Sequence, residues 1–237
     1  MKIYNDKKII VSLVISIAGL LMVIFGNVTI ANIGSSLLAS SLVILLNVWL
    51  VDVKISRPID NWGIEKIYAT RSEKNADSDP KLEKAQYQLD GVAFGLKSFR
   101  SNHTDKIDNC LQRGVNIRLL VMDPDSPYAD KRDEEEGDLP GHLRNSINQL
   151  VEWADNLNNK NYRGKIVVKG YSSMTLDFYW RVDGEVYIGP YWYGIPSQQT
   201  ITYKFTDNGK GFSVYTNYFE KLWNDSKLTK ELTKSKL

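Results

Sequence analysis

From Ile9 to Val51 the chain runs 43 residues without an Asp, Glu, Lys, Arg or His, and beyond it apolar and polar positions alternate at strand and helix periods. One helix of that length would reach about 65 Å, roughly twice the hydrocarbon thickness of a bilayer. The stretch must therefore turn, and Gly26-Asn27-Val28-Thr29 is where the apolar run breaks. The pattern predicts membrane helices over about 9–25 and 30–51, so that residues 1–56 form a transmembrane helical hairpin. A cleavable signal peptide is the competing reading of Lys7-Lys8 before an apolar run. It needs a small-residue cleavage site followed by a polar mature chain, whereas here the apolar run resumes at once. Lys2, Lys7 and Lys8 precede the first helix, Lys54 and Arg57 follow the second, and the turn between them is uncharged. The positive-inside bias then puts both ends in the cytoplasm, giving a multi-pass protein of the inner (cytoplasmic) membrane with a cytoplasmic soluble domain. Gly34, Ser35, Ser36, Ala39, Ser40 and Ser41 make a small-residue patch that lets helices approach closely, within the hairpin or between copies in a homo-oligomer.

Residues 57–224 read as one α/β domain. Strands are expected at about 64–69, 91–96, 115–122, 165–171, 175–182, 185–191 and 200–205, and helices at 81–89, 104–112, 143–157 and 215–223. Gly114 closes the second of these helices, and Asp183-Gly184 between two apolar runs signals a hairpin. The β-α-β-α-β order at the start implies a mainly parallel arrangement, which the later strands extend into a mixed sheet flanked by helices. The Lys-rich tail, 225–237, is expected to be flexible, with contact to an anionic membrane surface as the alternative.

Composition narrows the function. The 30 Lys and Arg are offset by 28 Asp and Glu, a net charge of +2, too balanced for a nucleic-acid footprint, so no nucleic-acid partner is expected. The single cysteine, Cys110, cannot form an internal disulfide and reads as a small buried hydrophobe. Two histidines, His103 and His142, leave little room for imidazole chemistry.

The segment 111–127, Leu-Gln-Arg-Gly-Val-Asn-Ile-Arg-Leu-Leu-Val-Met-Asp-Pro-Asp-Ser-Pro, together with Arg181-Val182-Asp183-Gly184-Glu185-Val186-Tyr187-Ile188-Gly189-Pro190, resembles one repeat of the phospholipase D-like superfamily over about residues 60–224. The resemblance implies that family's α/β fold and a signature of His-x-Lys followed by Asp-Gly. Aligned on Asp183-Gly184, Leu176 stands at the histidine position and Phe178 at the lysine position. Neither can attack phosphorus, donate a proton or hold an anion, so the resemblance implies a degenerate single repeat without catalysis. His103-Thr104-Asp105-Lys106 has His-x-x-Lys spacing, and His103 reads as a capping or exposed residue, with His142 structural.

In an open α/β sheet, ligands bind beyond the carboxyl ends of strands. Three polar loops are expected there: Arg71 and Ser72 after the first strand; Asp123, Asp125 and Ser126 after the third, with Arg132 close behind; and Tyr191 and Tyr193 after the hairpin. Arginines grip phosphate in a bidentate way, serines donate and tyrosines stack on a ring, so the set predicts a site for a small anionic ligand such as a nucleotide. The bland reading makes Asp125 and Ser126 a local turn, pairs Arg132 with Glu134, Glu135 or Glu136, takes the acidic run 133–136 as a solvated loop, and puts the tyrosines at the sheet edge. Asp123 and Asp125 lack the glycine-rich loop of a metal site, and no cofactor is implied. The expected function is a membrane-anchored, non-catalytic ligand sensor that signals through its helices, as in a bacterial defence effector. The alternatives are a membrane-bound phosphodiesterase, nuclease or phospholipase, and a ligand-free scaffold.

Overall fold

The uncharged stretch forms two helices of equal length, α1 (Lys2–Phe25) and α2 (Val28–Val51), joined at Gly26-Asn27. The computed structural model describes residues 2–51, 57–173 and 176–233, in two compact units, 1–61 and 62–237. Lys54, Met174, Thr175 and residues 234–237 lie outside the described residues. Asn27 caps α2, its Oδ1 accepting from the Ile30 amide at 3.0 Å. Small residues let the pair close up. A Cβ built on Gly34 would stand 2.6 Å from the Gly19 carbonyl oxygen, and the Ser12 and Ser16 hydroxyls bond to Ser41 across the interface at 2.9 and 2.7 Å. The small-residue patch therefore serves packing inside the pair at Gly34 and Ser41. Val28–Leu50 is long and apolar enough to cross a membrane, whereas the apolar part of α1, Ile9–Phe25, is shorter. One helix thus passes that test where the sequence pattern predicts two.

The second unit carries strands β1 (Ile64–Tyr68), β2 (Gln88–Val92), β3 (Asn116–Met122), β4 (Ile166–Tyr171), β5 (Phe178–Val182), β6 (Glu185–Gly189), β7 (Thr202–Thr206) and β8 (Thr229–Glu231). They form one mixed sheet in the order β1-β7-β6-β5-β2-β3-β4-β8. Only β2-β3 and β3-β4 are parallel. The expected parallel start is therefore corrected at β1, which lies at the far edge, antiparallel to β7. Its own pattern explains this: Glu65, Lys66 and Ile67 are exposed, a signature of an edge strand. By contrast β3 is central, with Ile117, Leu119, Leu120 and Val121 wholly buried. Each such side chain contributes about 1.5–3 kcal/mol of transfer free energy. The Asp183-Gly184 hairpin forms as expected, Val182 opposite Glu185. The tail is also corrected, because Thr229–Glu231 pairs with β4 and Lys230 bridges to Asp123 at 3.0 Å.

The helices after a short α3 (Arg57–Trp62) are α4 (Arg71–Leu82), α5 (Lys97–Arg113), α6 (Pro127–Glu136), α7 (His142–Asn158) and α8 (Lys210–Asn224). Helices α4, α5 and α7 cover one face of the sheet, and α8 covers the other, where Phe219 stacks on Tyr179 at 5.0 Å. Three sequence expectations change here. The helix expected at 81–89 instead spans Arg71–Leu82, and Gln88-Leu89 open β2: Thr70 caps the Glu73 amide at 3.2 Å while Glu73 Oε2 takes the Ala69 amide at 3.1 Å, a capping box. The acidic run 133–136 is helical, not a loop, because Ser126 caps the Tyr128 amide and Pro127 starts α6. His103 sits in the middle of α5 against the Phe99 ring, so it is neither a cap nor an exposed residue. Cys110 is buried as expected, its thiol donating to the Leu82 carbonyl.

On the α8 face a charged cluster holds four elements together. Asp90 of β2, wholly buried, accepts from Arg118 Nε and Nη2 of β3 at 2.7 and 3.0 Å and lies 3.5 Å from Arg181 of β5. Arg118 also reaches Glu220 of α8 at 2.6 Å.

Candidate functional site: a cationic cavity beside β5

The capping box that starts α4 also sets its rotation. Arg71, Lys74, Ser78 and Leu82 then fall at helical spacing on the buried face, so two cations point inward. Opposite them, alternation along β5 turns Phe178 and Trp180 toward α4 and sends Tyr179 to α8. The Arg71 guanidinium lies 4.1 Å from the Phe178 ring centre and 4.6 Å from that of Tyr191. Its Nη2 donates to Thr200 Oγ1 at 2.9 Å and to the Pro190 carbonyl at 3.3 Å, and its Nε is buried without a partner. Lys74, 3% exposed, has its amine 5.2–5.5 Å from the ring centres of Phe178, Tyr187 and Trp180 and donates to Asn75 Oδ1 at 3.2 Å. Burial pushes its pKa down to about 7, against the pull of Asp79 and with the push of Arg71. Burial likewise lowers the pKa of Arg71. Neither side chain makes an ion pair among the described residues, although buried charges are ordinarily paired.

These groups open into a cavity of about 320 Å³ whose other wall includes Phe94, Asp79, His103 and His142. Asp79 holds His103 Nε2 at 3.4 Å, and His103 Nδ1 is buried without a partner. Burial acts to raise the pKa of Asp79, but His103, Lys74 and Lys106 outweigh it and hold the carboxyl low. Donor atoms of Asp133, Asp138 and His142 gather within 4.8 Å of one another, a spacing compatible with a metal. Asp133 spends both oxygens on the Gly141 and Leu143 amides, so it serves first as the cap of α7.

Of the site residues expected from sequence, Arg71, Arg132 and Tyr191 come together. The Arg132 guanidinium lies 4.3 Å from the Phe94 ring centre and 5.8 Å from that of Tyr191. Its charge is met by Glu135 and Glu136, as the bland reading has it. Burial raises the Tyr191 hydroxyl's pKa, opposed by Arg71. Of these three, Arg71 and Tyr191 line the cavity, whereas Arg132 and the other expected residues do not. Ser72 donates to the Gln198 carbonyl, Ser126 caps α6, and Tyr193 is exposed. Asp123 accepts the Asp125 amide, and both carboxylates face Lys230. Arg71 and Ser72 are in the first turn of α4 and not in a loop. Sequence reasoning missed Lys74, whose signal was its place three residues after Arg71 behind a capping box. The two positions aligned with the His-x-Lys signature also part company: Phe178 floors the cavity, whereas Leu176 lines a small apolar pocket with Tyr179 and Phe219. Asp183 takes the Gln86, Tyr87 and Gln88 amides, each at 2.9 Å, and so pins the start of β2.

Lys74 has a thermodynamic consequence. Its folded pKa lies below its unfolded value near 10.4, so folding must release its proton, at a cost that grows as pH falls from about 10 to about 7 and is then constant. Lys74→Met should therefore stabilise the ligand-free protein at pH 7 by up to about 4 kcal/mol, and the gain should shrink toward pH 10. Urea midpoints at both pH values measure this, and an unchanged midpoint at pH 7 would contradict it.

No protein-family model matches the chain, and no curated protein matches it either. Solved structures do. Phosphatidylserine synthase from Haemophilus influenzae Rd KW20 is similar at TM-score 0.52 and 14% identity, over 70% of this chain and 38% of that one. Nuc from Salmonella typhimurium, a phospholipase D family member, is similar at TM-score 0.43 and 11% identity, over 67% of this chain and 90% of that one. TrmBL2, an archaeal chromatin protein whose structure shows a mode of DNA binding, is similar at TM-score 0.45 and 12% identity, over 85% and 64%. The chain thus spans less than two thirds of TrmBL2 and of the synthase. The second unit has a phospholipase D-like fold.

Proposed function

We propose that, on a phospholipase D-like fold lacking the His-x-Lys pair, this chain is a membrane-tethered receptor for a small phosphate-bearing ligand. The observation that carries the reading is the pair of buried cations, Arg71 and Lys74, set over the ring of Phe178 with no ion pair among the described residues. The family's phosphate-holding lysine is absent from β5, and α4 supplies positive charge at the same place from the opposite wall. Phe94 and Tyr191, with ring centres 4.1 Å apart, add an aromatic wall to the same cavity. The test is a thermal-shift series on the full-length chain in detergent with nucleoside mono-, di- and triphosphates and cyclic nucleotides. Bound ligand raises the midpoint by mass action. A series with no shift at millimolar nucleotide counts against the reading.

A second reading is a hydrolase, favoured by the Asp79–His103 pair on the same cavity. It requires turnover of a phosphodiester that His103→Ala abolishes, and the receptor reading requires that none occur.

The proposed tether is the pair α1–α2, with both ends in the cytoplasm and the helices passing the ligand signal, as in a membrane-acting defence effector. A cysteine placed at Ser226 should stay unreactive to an impermeant thiol reagent applied outside intact cells. Labelling from outside would reverse the topology.

A further inference from the structure

Arg71 and Lys74 enter the cavity from one helix face, but they are different kinds of cation. A guanidinium keeps its charge when stripped of water; an ammonium gives up its proton. The Lys74 amine is boxed by three ring faces and has one hydrogen-bond acceptor, Asn75. The ionisable groups around it are already committed. Asp77, on its own helix, takes the Tyr68 hydroxyl of β1 at 2.6 Å and Lys81 at 3.1 Å. Asp79 is held by His103 of α5, and Lys106 of α5 reaches the Asp79 carbonyl and Glu83. The Tyr187 hydroxyl of β6 donates to Glu185 at 2.6 Å, and Glu185 is paired with Lys81 and Lys204. Arg71 adds a like charge from one turn away. Among the described residues no carboxylate pairs with the amine, and the pull of Asp79 and Asp77 does not outweigh its burial.

We infer that capture of a phosphate dianion by this cavity is coupled to uptake of one proton, which the Lys74 amine receives. The inference rests on the reading of the cavity as an anion site. In the step, R–OPO₃²⁻, the neutral Lys74 amine and a solvent proton give R–OPO₃²⁻ held by the Lys74 ammonium; no covalent bond within the ligand changes. The bound dianion supplies the counter-charge that the protein withholds, which moves the amine back toward its ordinary basicity. With a free-site pKa of about 7, the amine is half protonated at neutral pH and nearly all neutral near pH 8.5. Affinity should then fall about tenfold per pH unit above 8, up to the pKa of the bound state. The ligand does not supply the titration, because a phosphate monoester with a second pKa of about 6 is already a dianion there.

The experiment is calorimetric titration of the full-length chain in detergent with adenosine monophosphate at about pH 8.5, in two buffers of different ionisation enthalpy. The expected result is a heat difference corresponding to about one proton taken up per ligand bound. Inorganic phosphate should bind more weakly with the same proton count, which separates a phosphate requirement from a nucleotide requirement. Lys74→Arg, permanently charged, should bind without proton uptake. If that variant does not fold, the tenfold loss of wild-type affinity from about pH 8 to about pH 9 decides the matter. Binding with no proton uptake in the wild type overturns the inference and leaves the anion site standing. A proton taken up with the nucleotide but not with inorganic phosphate overturns it too, since the base would then be responsible. No binding of either probe removes the anion site and the inference together.

Discussion

Replacing Arg71 by alanine should weaken binding of adenosine monophosphate by about 10- to 150-fold, because a charge-assisted arginine contact is worth about 1.5–3 kcal/mol and each 1.4 kcal/mol is a factor of ten. Arg71 is the cavity's permanent cation, and two of its donor positions are already fixed by Thr200 and Pro190, so the guanidinium is held in place before ligand arrives. Its unpartnered Nε is the donor for which the protein itself provides no acceptor. The same substitution should leave the fold standing, since it removes a buried charge that lacks a carboxylate partner. Arg132→Ala should cost much less, because Glu135 and Glu136 already neutralise that side chain. Arg144, which donates to the Pro124 carbonyl at 2.8 Å and lies outside the cavity lining, is the control. Calorimetric titration of the three variants reads the order directly. Equal losses for Arg71→Ala and Arg144→Ala would mean that the cavity is not where the anion sits.

Asp90→Ala should destabilise the second unit by about 3 kcal/mol, which a urea midpoint will show. Asp90 is wholly buried and serves two arginines from two neighbouring strands, Arg118 by a bidentate contact and Arg181 at 3.5 Å. Removing it leaves those guanidiniums facing each other across β2. Glu220 remains beside Arg118 and limits the damage, which is why the figure is at the low end for a broken buried pair. Asp90→Asn keeps the shape and loses the charge, so it should fall between. Were Asp90→Ala as stable as the parent, the cluster would be a surface decoration despite its burial.

The elements that were legible from sequence are those whose signal is local. A run of 43 uncharged residues with its strongest break at Gly26-Asn27 reads as two apolar helices, and α1 and α2 follow. The apolar run 115–122 likewise places β3 to within a residue, and Asp183-Gly184 places the β5–β6 turn, although β5 starts at Phe178, three residues after the expected 175. Two helix starts were equally local and were misread. Thr70-Arg71-Ser72-Glu73 is a capping box, and Ser126-Pro127 is a cap followed by an N1 proline, but both are polar, and polarity by itself reads equally as loop.

The sequence by itself determined that one segment is apolar enough for a bilayer and that an α/β domain follows it. Each of these depends on the identity or spacing of residues close along the chain. Tertiary structure alone decided that β1 lies at the far edge from β2, because three later strands fill the gap. It also decided that Arg71 meets Tyr191 across 120 residues of chain while Ser72, its neighbour, turns to solvent. Lys74 depends on it most. An exposed lysine and one boxed by Phe178, Trp180 and Tyr187 are the same letter in the sequence. They differ only in whether water or aromatic rings surround the amine, and that is set by packing between α4 and strands more than a hundred residues away.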